Sequence, residues 1–468
     1  MEPSLPGLIV CGLLLAFGWR LGAPILVALF ASLPLSSTAF ATLPALGGAT
    51  PLVYTLVALL FIASVVLRPG SGRRLGRVFR REPTAWLVLG LLFYSLASAV
   101  ILPRLFAGET SAFVVHRGGV LELPLAPTFG NITQTAYFAL GAVAFFCLLI
   151  ELQGRAALRA VHTGFFAYLV ASVALGIVDL GAKVAGLGDV LSPIRTANYS
   201  LLTEVAAGSF WRLTGATPEA STFAIGMLAC VAFATVYWRT TGDRLALLLA
   251  ILAFLLCLLS TSTTAYLGLA LLGLLQGFMI LRKVISGRVG RRDAAMAACL
   301  PVLLVAILGI YVAKEKALDP VVQLVDTMVI KKGQSDSAKE REYWNRRSLA
   351  ALSDTHGLGT GFGSSRASSW VIAVISQLGL VGAVLMGLLT ATLLRDPGSS
   401  STHDPTALGL YRGARAAALA FLVGVSLSGG SADPGILFFL CLAVVVTARQ
   451  GWPVRPGPRW QPMRTARA

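Results

Sequence analysis

The segment that decides the fold is Leu245–Leu281, LALLLAILAFLLCLLSTSTTAYLGLALLGLLQGFMIL, which carries no charge between Arg244 and Arg282. As one helix, its 37 residues would extend about 55 Å. A helix that crosses a bilayer needs only about 20 apolar residues. The segment is therefore predicted to form a membrane hairpin, broken at the polar run Ser260–Thr263.

Apolar runs of similar length cover most of the chain. Of its 468 residues, 56% are hydrophobic and 13% charged, and the mean hydropathy is +0.78. This composition excludes a water-soluble globular enzyme and predicts an all-α polytopic integral membrane protein with 12–13 transmembrane helices. The count depends on whether the first two apolar runs form one broken helix or two spans. The predicted spans are near 5–18, 21–36, 50–67, 83–102, 128–150, 160–178, 219–238, 245–260, 264–281, 294–312, 370–394, 414–428 and 434–447.

Basic residues cluster in alternate links between these runs, as cytoplasmic links do under the positive-inside rule. That side would hold 24 basic and 6 acidic residues, against 14 and 15 on the other side. The net charge of +17 therefore indicates topology, and no nucleic-acid partner is predicted. The six cysteines all fall inside apolar runs, which fits buried free thiols and no metal site. The N-terminus lacks the basic region of a signal peptide, so it is predicted to be a retained membrane helix.

This topology divides the chain into four parts. Residues 1–312 hold the first ten spans, with outer loops near 103–127 and 179–218. Residues 313–369 form a large outer loop, 370–447 hold the last three spans, and 448–468 form a basic cytoplasmic tail. Within the large loop, SDSAKEREYWNRRSLAALSD (335–354) is predicted to form an amphipathic helix. This helix would either lie at the outer membrane interface or cover a site.

Charges within the spans are few, which disfavours an ion-coupled transporter without excluding it, because such transporters usually keep ionisable groups at mid-depth. His162, Glu151 and Asp179 all lie near span ends. The outer loops are instead rich in arginine, whose planar guanidinium binds phosphate oxygens in bidentate fashion. An anionic lipid headgroup is therefore the predicted kind of ligand.

Two stretches carry a family resemblance. RLTGATPEASTFA (212–224) resembles the RxxGxxxEPSxFA signature of bacterial exopolysaccharide and O-antigen polymerases. SAKEREYWNRRSLAALSDTHGLGTGFGSSRASSWVIAVISQLGLVG (337–382) resembles the region shared by the O-antigen ligase and polymerase superfamily. That region has an arginine shortly before a tryptophan, a GxGxG turn and a following helix. The motifs' order and their place in the outer loops match as well.

The resemblance implies a metal-independent, cofactor-free glycosyltransferase of the bacterial inner membrane with its active site facing the periplasm. Its substrate would be undecaprenyl-diphosphate-linked oligosaccharide in the membrane lipid, with chain-length regulators and export proteins as further candidate partners. Arg212, Arg341 and Arg366 would bind the leaving diphosphate, and Glu219 and His356 are the candidate bases. Glu219 could instead cap the following helix, and His356 could be structural.

The glycines of the turn allow two interpretations. Gly359 and Gly361, within the run Gly357–Gly363, could direct backbone N–H groups at the diphosphate in a cradle that ends at Arg366. The run could equally be a tight turn that permits close packing above the next helix. The spacing matches neither GxGxxG nor a P-loop, so a nucleotide site is not predicted.

Departures from the family pattern separate the alternatives. Ser368, Ser369 and Gln377 stand where ligases have His-Asn and a later glutamate, Ala220 replaces the signature proline, and Thr263-Thr264 replace a frequent Ser-Arg. The missing histidine weakens the prediction of a ligase, which would transfer the glycan to another acceptor. A lipid-linked oligosaccharide flippase is the alternative from a different class, and the motif-bearing outer loop weakens it. Polymerisation of repeat units is the favoured prediction.

Overall fold

The computed structural model describes residues 2–116, 119–154, 157–198, 212–287, 289–298, 336–395 and 404–449. The chain is an all-α polytopic membrane protein with two short antiparallel strand pairs, as the composition predicts. The α-helices are α1 (Leu5–Arg20), α2 (Pro24–Ser32), α3 (Val53–Val66), α4 (Ser71–Arg81), α5 (Pro83–Leu105), α6 (Phe129–Glu151), α7 (Ala157–Val184), α8 (Ala220–Thr241), α9 (Arg244–Leu259), α10 (Thr263–Ile285), α11 (Asp336–Asp354), α12 (Trp370–Thr392), α13 (Pro405–Ser428) and α14 (Ile436–Arg449). The strands are β1 (Glu2–Pro3), β2 (Ala41–Thr42), β3 (Ser111–His116) and β4 (Gly119–Pro124).

Helices occupy twelve of the thirteen positions predicted as spans, and the thirteenth, 294–312, lies mostly outside the described residues. In the described part of the chain, α5, α6, α7, α8, α10, α12 and α13 are long and apolar enough to cross a bilayer. Helices α1, α9 and α14 are apolar but shorter, and α3 meets α4 at a bend of 97°. Only part of the predicted loop 313–369 and of the tail 448–468 falls within the described ranges.

The first two apolar runs form an antiparallel helical hairpin, so they are two helices and not one broken span. Gly7 packs against the backbone of Ala39, and Gly18 packs against the backbone of Pro24. Strand β1 pairs with β2 at the open end of this hairpin. The two glycines allow α1 to approach this closely, because a Cβ at either position would overlap backbone atoms.

The predicted break in Leu245–Leu281 is confirmed. Helix α9 ends at Leu259 and α10 begins at Thr263, with Thr261 between them in the left-handed region at φ 48°. The core forms where α8 packs against α13, at Gly413 beside the Phe233 ring and Gly424 beside Ile225. Small residues on α13 therefore let these two helices lie in close contact.

The links divide between two faces of the bundle. One face, the arginine-rich face, carries α4 and the links that follow α8 and α10. The other, the loop face, carries 33–52, 106–128, 185–198, 212–219, 336–369 and 429–435. On the loop face, α11 confirms the predicted amphipathic helix. The hairpin β3–β4 was not predicted, and it packs against α11 and the segment that follows the glycine turn.

Candidate functional site

The segment 212–219, which carries the polymerase-like motif, is held against the end of α7 by Asp179. The Asp179 side chain is buried, and its Oδ2 accepts hydrogen bonds from the backbone N–H groups of Thr214 (2.8 Å) and Gly215 (3.0 Å). Gly215 has φ 53°, in the left-handed region that favours glycine. The carboxylate therefore fixes the turn that follows Arg212.

Two cations complete this buried cluster. Lys183 Nζ lies 3.0 Å from Asp179 Oδ2 and donates to the backbone oxygen of Arg212 at 2.6 Å. Arg195, almost fully buried, donates to Thr214 Oγ1 at 3.0 Å and pairs with Asp189. Sequence reasoning gave these residues no role. The available signal was the i,i+4 spacing of Asp179 and Lys183 at the end of an apolar helix.

Glu219 occupies the N-cap position of α8, yet its carboxylate makes no capping hydrogen bond to the helix backbone. Its Oε1 accepts instead from the Ser221 hydroxyl at 2.5 Å. The alternative that Glu219 serves as a side-chain cap is therefore not supported. The carboxylate lines a cavity on the loop face, where it is available to a ligand.

Arg212 lies close to Glu219 and Arg341. Burial lowers the pKa of the Arg212 guanidinium from its usual value, the Glu219 carboxylate opposes this shift, and the positive charge of Arg341 adds to it. The charges of Glu219 and Arg341 therefore both act on Arg212, and all three residues were predicted from the sequence as site residues. The Nε of Arg212 is buried, and nothing in the described ranges forms a hydrogen bond with it.

Arg341, which acts on Arg212, lies on α11, and α11 is anchored on the β3–β4 hairpin. The Glu122 carboxylate accepts from the Tyr343 hydroxyl at 2.6 Å and from Arg347 Nε at 3.0 Å. At the end of the helix, Asp354 accepts from the Thr110 hydroxyl at 2.7 Å. These contacts favour the interpretation of α11 as a cover over a site.

Arg366 is positioned by two backbone segments. Its N–H donates to the Phe113 oxygen of β3 at 2.9 Å, and its side chain packs against Gly430 in the link between α13 and α14. A Cβ at residue 430 would lie 2.8 Å from Arg366 Nε, so glycine leaves room for the guanidinium. This buried Nε lacks a hydrogen-bond partner in the part of the chain that the structure describes.

A cavity of about 330 Å³ brings Glu219 and Arg366 together. Its polar lining also includes the Ser428 hydroxyl, which is buried and finds no hydrogen-bond partner among the residues described. Most of the lining is apolar, with side chains from α7, α8, α13 and α14 that include Leu175, Met227, Phe421 and Leu437. The cavity thus combines a few charged and polar groups with largely apolar walls.

The glycine turn uses its amides internally. The N–H of Gly359 donates to Thr355 Oγ1 at 3.0 Å, and that of Gly361 donates to the backbone oxygen of Gln377 at 2.9 Å. A Cβ at residue 359 would lie 2.6 Å from the backbone nitrogen of Gly379, where α12 is interrupted. The geometry favours the close-packing interpretation, and in this conformation neither amide is directed at a diphosphate.

His356 lies outside the cavity lining. It has φ 52°, its side chain is exposed, and its ring centroid is 6.2 Å from that of Phe106. The structure therefore places Glu219 and Arg366 on one cavity and Arg212 within electrostatic reach of Glu219 and Arg341, and it leaves His356 outside the cavity lining.

The positions that depart from the ligase pattern are structural in this chain. The Gln377 side chain is buried, accepts from Gly363 N–H at 2.8 Å and donates to the Ser365 oxygen at 2.7 Å. It therefore ties α12 to the glycine turn. Ser368 is buried, and its backbone N–H donates to the Asn345 side chain of α11 at 2.9 Å.

No protein-family model and no curated protein matches this chain. The resemblance to the O-antigen ligase and polymerase superfamily therefore rests on the two motifs alone. Within the described ranges, no three His, Cys, Asp or Glu side chains form a group that could hold a metal ion.

Proposed function

We propose that this protein polymerises lipid-diphosphate-linked oligosaccharide repeat units at the cavity on its loop face. The observation that carries the proposal is the placement of Glu219 and Arg366 on one cavity, with Arg212 close enough to both Glu219 and Arg341 to feel their charges. A carboxylate base next to several guanidinium groups suits glycosyl transfer from a diphosphate leaving group.

In the proposed reaction, a hydroxyl of the acceptor glycan attacks the sugar carbon that bears the lipid diphosphate. The new C–O bond forms as the bond to the diphosphate breaks, and the diphosphate leaves with the electron pair. Glu219 takes the hydroxyl proton. The guanidinium groups of Arg212, Arg341 and Arg366 stabilise the charge that develops on the diphosphate.

The cavity lining favours one of the two candidate bases. Glu219 lines the cavity, whereas His356 is exposed and separate from it. We therefore assign the proton transfer to Glu219 alone. The apolar part of the cavity lies between membrane helices, which suits a substrate whose glycan is attached to an isoprenoid lipid.

The charge distribution supports the proposed sidedness, and the motif resemblance implies the bacterial inner membrane, the substrate and the partners. With the arginine-rich face in the cytoplasm, the cavity would open to the periplasmic side of a bacterial inner membrane. Undecaprenyl-diphosphate-linked repeat units would be the substrate, with chain-length regulators and export proteins as partners.

The test is to supply purified protein with undecaprenyl-diphosphate-linked repeat units alone. We expect a ladder of longer lipid-linked glycans together with free undecaprenyl diphosphate. A ligase would leave the units unextended until a second acceptor was added, and a flippase would change their sidedness and never their size. A metal chelator should leave the ladder intact, because the diphosphate charge is assigned to arginines.

Two matched variants test the assignment of the base. Glu219→Gln should reduce ladder formation at least about 100-fold, the lower end of what general acid–base catalysis contributes. His356→Gln, at equal membrane abundance, should retain wild-type activity within about twofold. The reverse result would transfer the role of base to His356, and an active preparation that yields no ladder would rule out polymerisation.

A further inference from the structure

The helix α4 lies on the arginine-rich face, away from the cavity. It follows α3 at a bend of 97° and packs across the ends of α3, α5 and α6. Because α3 is an apolar helix of the bundle, this bend turns α4 into the plane of the membrane surface.

One stripe of α4 fastens it to the bundle. Leu75, Val78 and Phe79 follow the i, i+3, i+4 spacing of one helix face, and Val78 is only 5% exposed. The Phe79 ring lies 5.4 Å from that of Phe146 on α6. The orientation of α4 about its own axis is therefore fixed.

The opposite stripe is cationic. Arg77 is held by Gln153, with 2.9 Å between Arg77 Nη1 and Gln153 Oε1. Four further arginines of this stripe are exposed, and none pairs with an acidic side chain of the described residues. They are Arg73, Arg74, Arg80 and Arg81. Helix α4 thus presents four exposed positive charges that have no ion-pair partner within the described ranges.

A tryptophan indicates the depth of this stripe in the membrane. Trp86, in the first turn of α5, is 60% exposed, and its ring lies 4.8 Å from the Phe79 ring at a tilt of 58°. Its indole N–H donates to the backbone oxygen of Phe79 at 2.9 Å. Exposed tryptophans of membrane proteins concentrate at the level of the lipid headgroups. Because Trp86 is bonded to the α4 backbone, the arginine stripe lies at headgroup depth.

We propose that the arginine stripe of α4 is a binding site for anionic phospholipid headgroups in the leaflet on the arginine-rich side. Guanidinium groups bind phosphate oxygens in bidentate fashion, and basic segments at the membrane surface attract anionic lipid. The site is separate from the cavity, so it stands or falls independently of the glycan chemistry.

The experiment titrates detergent-solubilised protein with phosphatidylglycerol or phosphatidylcholine and counts bound lipids by native mass spectrometry. Arg73, Arg74, Arg80 and Arg81 are all changed to Gln in one variant. The matched control changes four exposed arginines elsewhere on the same face to Gln: Arg244, Arg282, Arg291 and Arg412. We expect the α4 variant to bind phosphatidylglycerol at least about tenfold more weakly. The control and the phosphatidylcholine binding should change less than about twofold.

A third variant, with the four α4 arginines changed to Lys, guards against a folding artefact. It keeps the charge and should retain phosphatidylglycerol binding within about threefold of wild type, since lysine also binds phosphate as a point charge. Unchanged phosphatidylglycerol binding by the Gln variant would overturn the proposal, as would an equal loss in the control. If the Gln variant keeps its phosphatidylglycerol binding, the stripe serves another partner, such as an acidic protein.

Discussion

Two arginines of α11, six positions apart, differ in what surrounds them. Arg341 is near Arg212, which is itself near Glu219. Arg347 instead forms an ion pair with Glu122 of the hairpin. The first is the one that we propose to bind the diphosphate, and the second holds α11 on the hairpin. The two positions can therefore be tested as a pair.

We expect Arg341→Lys to lower polymer formation about tenfold or more, although the charge is kept. The ammonium group cannot reproduce a bidentate contact, and a hydrogen bond to a charged group contributes about 1.5–3 kcal/mol. Arg347→Lys should stay within about threefold of wild type. The measurement is polymer yield at equal membrane abundance, and normal polymer from both variants would remove Arg341 from the diphosphate site.

Asp179 is expected to control the stability of the motif-bearing turn. Asp179→Asn leaves the buried Lys183 and Arg195 without their shared counter-charge, which should cost about 3 kcal/mol or more. Asp189→Asn is the control, because Asp189 is more exposed and, of the two cations, pairs with Arg195 and not with Lys183; its Oδ1 also accepts from the Leu191 N–H at 3.1 Å. Thermal unfolding in detergent measures both. A melting temperature for Asp179→Asn at or above that of the control would show that the cluster does not support the turn.

At the scale of elements, the sequence predicted those features that depend on residues close to one another in the chain. The amphipathic pattern predicted a helix over 335–354, and α11 spans Asp336–Asp354. The polar run at Ser260–Thr263 predicted the break between α9 and α10 in the same way. Both features depend on hydrophobicity and charge within a few residues, so a single sequence contains the required information.

The hairpin β3–β4 could not be predicted because its partners are distant in sequence. Phe113 receives a hydrogen bond from Arg366, and Glu122 of β4 binds Tyr343 and Arg347 of α11. The site was only partly predictable for the same reason. The motifs identified Arg212 and Glu219, but the support from Asp179 lies 35 residues before Thr214 and follows only from the fold.

The contact between α11 and the hairpin should depend on pH. Hydrogen bonds from Ser111 and Tyr343, together with Arg347, lower the pKa of Glu122 below its usual value. A lowered pKa means that this contact stabilises the fold above the unfolded pKa of about 4.3 and is lost as the pH falls through the lower folded value.

We therefore expect protease cleavage within α11 of the wild type to stay slow at pH 7 and to accelerate as the pH falls below 4. Glu122→Gln should be cleaved faster at pH 7 and show little further change in acid. Trypsin at pH 7 and pepsin below pH 4, each normalised to its cleavage of a soluble unfolded reference substrate, separate the effect on the fold from the effect on the enzyme. Equal cleavage of both proteins at pH 7 would contradict the role of Glu122.

At the scale of the whole molecule, the two faces should lie on opposite sides of the membrane. Ser353 on α11 and Ser286 after α10 are both exposed serines, one on each face. In a cysteine-free background, Ser353→Cys should react with an impermeant thiol reagent in intact spheroplasts. Ser286→Cys should react only after the membrane is opened. Labelling of both in intact spheroplasts would refute the assigned topology.

The walls of the cavity have a consequence for how the protein is made. They include Leu33 and Tyr54 near the start of the chain and Ser428 and Leu437 near residue 440. A ribosome must therefore translate, and the insertion machinery must release, nearly every helix before the Glu219 carboxylate acquires its enclosure. A nascent chain stalled after α12 would hold Arg212, Arg341 and Arg366 and still lack the α13–α14 wall. The cavity therefore forms only when the last two helices have been inserted.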